Sequence, residues 1–95
     1  MPEAPPLVGV VIGSHTDESY IQDTLRVLDE LGIRHEFAVL SAHRVPRRVM
    51  EWASTAESRG LRVIIAGAGG AAALPGVVAS WTELPVIGIP FPTSE

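Results

Sequence analysis

The sequence predicts an α/β fold, a parallel sheet of about four strands in the order 2-1-3-4 with helices packed on its faces. Three observations point there. Apolar runs at 7–12, 34–40, 62–66 and 85–90 alternate with helical periodicity at 17–31, 46–59 and around 74–81. Such β-α-β-α-β-α-β alternation specifies parallel strands joined by right-handed crossovers. The first run, LVGVVI, is apolar throughout, as a strand covered on both faces must be. Finally, glycine- or serine-rich corners follow the first three runs at 13–17, 41–44 and 67–70, so they share the carboxyl edge of the sheet, where open sheets of this class bind ligands.

Each element has a local reason. Residues 1–6 carry three prolines and are expected to form an extended lead-in, leaving 7–95 as a single α/β domain. Ile21, Leu25 and Leu28 lie at i, i+4 and i+7 of the first helix, and Gly32 supplies its stop. RHEFAVL at 34–40 is less apolar at its start, which suits an edge strand. Pro46 begins the second helix where a missing N–H costs nothing, Val49, Ala53 and Ala56 give its inner stripe, and Gly60 ends it. RVIIA at 62–66 is the third strand. The glycine- and alanine-rich segment 67–76 leads into a third helix, with Leu74, Val77, Val78 and Trp81 on one face. PVIGIP at 85–90 is the fourth strand.

Composition narrows the function. With 95 residues the chain buries somewhat over ~60% of its unfolded surface. At 46% hydrophobic and 19% charged it is no disordered chain, and so much apolar content in so short a chain suggests self-association. A net charge of −4 argues against a nucleic-acid partner. No cysteine is present, so thiolate chemistry is excluded. The first residues have neither the basic region nor the apolar core of a secretory signal, and no run approaches a membrane span. A cytoplasmic protein without a membrane partner is the expectation.

The chemistry concentrates in 41–46, SAHRVP. An imidazole can take and give a proton near neutral pH, and the neighbouring guanidinium can fork onto phosphate or carboxylate. His43 is therefore the candidate catalytic group and Arg44 the candidate anion holder, against the plainer reading of a solvated pair at a helix entry. Ser14 and Asp17 in the first corner have a plain reading as well, helix capping and dipole compensation. If a ligand binds there, Asp17 repels phosphate and should meet hydroxyls such as those of a ribose. GAGG at 67–70 lacks the spacing of a dinucleotide fingerprint and follows the third strand rather than the first; a tight turn offering backbone to a flat ligand fits better. His15 and His35 carry weaker claims, and the three histidines lack metal-ligand spacing, so no metal is expected. Trp52 and Trp81 suit helix packing or subunit contacts.

Taken together, GSHTD at 13–17, SAHRVP at 41–46 and IIAGAGGAAALPG at 64–76 resemble the signature segments of the PurE family, which comprises N5-carboxyaminoimidazole ribonucleotide mutase and the related aminoimidazole ribonucleotide carboxylase. The resemblance runs over residues 7–90. It implies a flavodoxin-like three-layer α/β/α fold, an octameric homo-oligomer, and a carboxyl shift from N5 to C4 of the imidazole ring in purine biosynthesis without metal or organic cofactor. It also implies roles. His43 would shuttle the proton at C4, Ser14, Asp17 and Arg44 would hold ribose and phosphate, and Ser41 with the backbone of Ala68, Gly69 and Gly70 would line the pocket. Two departures are visible. Ala73 stands where the family usually has histidine before LPG, and family chains continue beyond the PVIGIP strand with a further pocket segment, strand and helix. The alternative expectation is a catalytically impaired ribonucleotide-binding or subunit-pairing module.

Overall fold

The computed structural model describes residues 4–69 and 73–92. Its elements follow the anticipated alternation: β1 (Val8–Ile12), a single 3-10 turn (His15–Asp17), α1 (Glu18–Glu30), β2 (His35–Val39), α2 (Pro46–Ser54), β3 (Val63–Ala68), α3 (Ala73–Ala79) and β4 (Val86–Pro90). All strand pairs are parallel and the order is β2-β1-β3-β4.

β1 is central because every one of its residues can be buried, and every one is. Its alternation divides the core. Val8, Val10 and Ile12 face α1 and pack with Ile21, Leu28 and Phe91. Val11 faces the other way, into a cluster with Val49, Ala53 and Ala56 of the α2 segment and Leu74 and Val78 of α3. The result is three layers, α1 on one face and α2 with α3 on the other. Gly9 lies on the second face, where a Cβ would come within 2.7 Å of Leu61 and 3.0 Å of Trp52. Its missing side chain lets the helix layer approach the sheet.

The helices bury their expected stripes except at Trp81, which lies in the turn after α3 rather than on its inner face and is exposed. Gly32 and Gly60 take the left-handed conformation, φ +70° and +100°, which glycine adopts without steric cost. Trp52 donates from Nε1 to Glu36 at 2.8 Å, and the guanidinium of Arg59 grips the same carboxylate at 3.1 Å while lying 5.5 Å from the Trp52 ring centroid. This trio ties edge strand β2 to the end of the α2 segment.

Besides the end of α3 at Ala79, two boundaries differ from the sequence reading. α2 stops at Ser54, and residues 55–60 form turns. At this end the Glu51 carbonyl accepts both the Thr55 hydroxyl at 2.7 Å and the Thr55 N–H at 3.2 Å, and the chain beyond continues as turns. β3 runs two residues further, through Gly67 and Ala68, because β4 pairs with both. The glycine that reads as loop is strand, and the aromatic ring of Phe91 occupies the space a Cβ at Gly67 would need.

Candidate functional site

Among the described residues no polar or charged side chain is buried. The chemistry therefore sits at the edges of the sheet, and the strand register decides what meets there. Ile12 stands opposite Val39 on one side and Gly67 on the other. Leu40 donates its N–H to the Ile12 carbonyl at 2.8 Å, carrying the pairing one step past β2. Three corners thus leave the sheet at one level, and with strands about 4.8 Å apart the outer two start about 10 Å from each other. That span suits a small flat ring carrying a sugar.

Ser14 opens the first corner. It is extended, its Oγ accepts the Thr16 N–H at 3.2 Å and lies 2.9 Å from the Thr16 hydroxyl, and the Asp17 N–H donates to its carbonyl at 3.0 Å. The capping reading of Ser14 is therefore real. Asp17 is different: it stands at the start of α1 without a side-chain capping bond, so its half-buried carboxylate is not engaged in closing the helix. His15 is exposed, its Nδ1 3.5 Å from Glu18.

The second corner repeats the device. Ser41 Oγ accepts the Arg44 N–H at 3.2 Å, and the Ser41 carbonyl accepts the Val45 N–H at 3.0 Å. These bonds fold 42–44 into a tight turn with His43 and Arg44 both exposed. Val45 then caps α2 with no side-chain acceptor, and Pro46 follows at the first turn. In the third corner Ala68 is buried and its carbonyl accepts the Phe91 N–H at 2.9 Å, while Gly69 lies against the backbone of Phe91 and Pro92. Gly70, the remaining expected pocket residue, lies outside the described residues.

Ser14, Asp17, Ser41, His43, Arg44, Ala68 and Gly69 thus come to one edge at the ends of three neighbouring strands. His35 does not; it lies at the start of β2, the opposite edge, where its Nδ1 faces the Ile33 carbonyl at 3.0 Å and its Nε2 is 3.8 Å from Asp29. With the histidines at separate places, no group of three or more acidic or imidazole side chains among the described residues is arranged to hold a metal. The sequence reading missed Phe91, and the only signal for it was the adjacency of an aromatic to the end of an apolar strand.

An open parallel sheet with a hydroxyl-, imidazole- and guanidinium-bearing rim at the switch in strand order defines an α/β protein of the doubly wound class, in which that edge is the place where ligands bind. Comparison with known proteins narrows this. The AIR carboxylase family model matches residues 7–95, and the chain belongs to that family. It is 57% identical over 90 residues to the N5-carboxyaminoimidazole ribonucleotide mutase of Aquifex aeolicus, an alignment that takes in 95% of this chain and 54% of that protein. It is 55% identical over 89 residues to the phosphoribosylaminoimidazole carboxylase of Schizosaccharomyces pombe, covering 94% of this chain and 16% of the relative. The crystal structure of Treponema denticola PurE superposes with a TM-score of 0.83 at 28% identity, over 93% of this chain and 56% of that one. The fold is accordingly flavodoxin-like. The chain spans about half the length of the mutases it matches. No described helix is long and apolar enough to cross a membrane.

Proposed function

We propose that this chain forms the ribonucleotide-handling part of an N5-carboxyaminoimidazole ribonucleotide mutase, acting in the cytoplasm in purine biosynthesis as a homo-oligomer. The observation that carries the reading is the common level at which the three corners leave the sheet, with Asp17 and Arg44 on adjacent corners. Arg44 takes the phosphate, Ser14 and Asp17 the ribose hydroxyls, and Ser41 with the Ala68 and Gly69 backbone frames the ring. His43 faces the reacting carbon.

The reaction then balances without an outside reagent. The bond from N5 to its carboxyl carbon breaks, CO2 forms, and N5 gains a proton. Ring carbon C4 bonds to that CO2 and loses its proton, which His43 carries away. The proton lost at C4 equals the one gained at N5, so a single imidazole serves both. Holding CO2 beside C4 replaces a bimolecular encounter with a local one.

Subunit contacts are supported by apolar side chains that remain in water: Trp81 is 48% exposed and Ile87 on edge strand β4 is 53% exposed. Turnover of the N5-carboxylated ribonucleotide, followed by absorbance with His43→Asn as control, tests the reading; equal rates for the two proteins overturn it. A second reading, a binding module without turnover, has Ala73 behind it. This residue begins α3 with a methyl group where an imidazole is usual in the family. Calorimetric binding of aminoimidazole ribonucleotide with no turnover selects it.

A further inference from the structure

We propose that Arg47 and Arg48 capture the anionic ligand from solution and hand it to the 41–44 corner, without touching it once bound. The proposal rests on the reading of Arg44 as the phosphate holder. Its independent basis is a charge arrangement that folding does not explain. All seven cationic side chains of the sequence are arginines, and three of them fall within five residues, 44–48. Arg47 and Arg48 occupy the first turn of α2, where the helix dipole disfavours cations, and no acidic residue offsets them there. α1 shows the usual solution on the same sheet edge, with Asp17 and Glu18 at its start.

Among the described residues neither arginine has relief from a neighbour. Among the described residues, the ion pairs of arginine are Arg26 with Asp23 and Glu30, and Arg59 with Glu36. Glu51 lies four residues after Arg47 and three after Arg48, within helical reach of both, yet pairs with neither. Arg44, Arg47 and Arg48 are all exposed. Side chains in a helix lean toward its N-terminus, so these two lean over the turn that carries His43 and Arg44. The chain as a whole carries −4, which repels a phosphorylated substrate from most directions. A compact positive mouth at one edge reverses that repulsion where it matters, and such steering raises association rates about 10- to 1000-fold.

The test uses the full chain and the double substitution Arg47→Gln, Arg48→Gln. Stopped-flow association of aminoimidazole ribonucleotide at low ionic strength should slow about tenfold or more, with dissociation unchanged, and the difference should vanish near 1 M salt, where the screening length is about 3 Å. Faster dissociation with unchanged association would make these residues direct contacts and overturn the proposal, as would no change in either rate. Failure of the wild type to bind the ribonucleotide would strike the proposed function instead. A second measurement separates the two: paramagnetic cosolutes of opposite charge, read by NMR at the amide protons of residues 41–48, report the local potential with no ligand present. Anionic cosolute should accumulate there in the wild type and not in the variant; equal enhancement in both overturns the capture role. Charge reversal at both positions should raise the melting temperature by a few degrees while slowing capture further. A fall in melting temperature would assign the arginines to folding and likewise overturn the proposal.

Discussion

At the end of β1 and again at the end of β2 the backbone turns out of the sheet around a serine. Ser14 Oγ accepts an N–H two residues on, and Ser41 Oγ accepts one three residues on, both at 3.2 Å. Each turn then enters a helix. The charges are opposite: Asp17 and Glu18 at the first corner, Arg44, Arg47 and Arg48 at the second. The first arrangement is what a helix dipole favours and the second is what it opposes. The acidic corner can therefore be explained by stability alone, whereas the basic corner needs another cause. The difference supports the proposed placement of the anion at the second corner more firmly than either corner does by itself.

That contrast can be broken in several ways. The largest expected effect is on chemistry. His43→Asn should lower turnover about 10²- to 10⁴-fold, the usual contribution of a positioned proton carrier, with ribonucleotide affinity nearly kept; comparison of kcat and KM checks both halves. Next, Arg44→Ala should weaken binding of the ribonucleotide by about 1.5–3 kcal/mol and leave binding of the unphosphorylated nucleoside unchanged in calorimetry. Gly67→Ala strikes the strand beside the first corner and makes no direct contact with the second, because its methyl would collide with the Phe91 ring; denaturant unfolding should show a loss of about 1–3 kcal/mol. Asp17→Asn is the converse of the arginine change. It should reduce affinity for the ribose part by about 1 kcal/mol while leaving inorganic phosphate binding equal or tighter. Smallest is the pair Ser14→Ala and Ser41→Ala, each expected to destabilise the fold by about 0.5–1 kcal/mol in thermal unfolding. If one serine costs nothing, the two corners are not built alike.

The strand order and the shared edge were legible because they depend on pattern: apolar runs of strand length, helical stripes, and corners between them. Even the edge position of β2 shows in the polar start of RHEFAVL, where Glu36 serves as the clasp to Trp52 and Arg59. Boundaries were less legible. Ser54 rather than Arg59 ends α2, although Ala56 continues the inner stripe, so helical periodicity does not encode where the helix stops. Gly67 reads as loop by composition, yet it is strand because β4, 22 residues later, pairs with it, and Phe91 packs on it. The candidate residues Ser14, Asp17, His43 and Arg44 could be singled out in sequence, since their side chains are of the types such chemistry requires. The division between a serine engaged in bracing its turn and a carboxylate left unengaged required hydrogen bonds to be seen.

The register has a kinetic consequence. Val8 pairs with His35 on one side and with Val63 on the other, contacts separated by 27 and 55 residues along the chain. Doubling a loop adds about 0.6 kcal/mol to the entropy of closing it, so the β1–β2 pair, like the β3–β4 pair that joins Ile64 to Val86, has the advantage over the β1–β3 pair in forming early. The first two corners would then meet early, and the third would join only when β3 docks, which also completes the burial of β1. Docking of β3 together with its partner β4 would be both the last step of folding and the step that creates the cleft, so refolding followed by tryptophan fluorescence and recovery of ligand binding should share one slow phase.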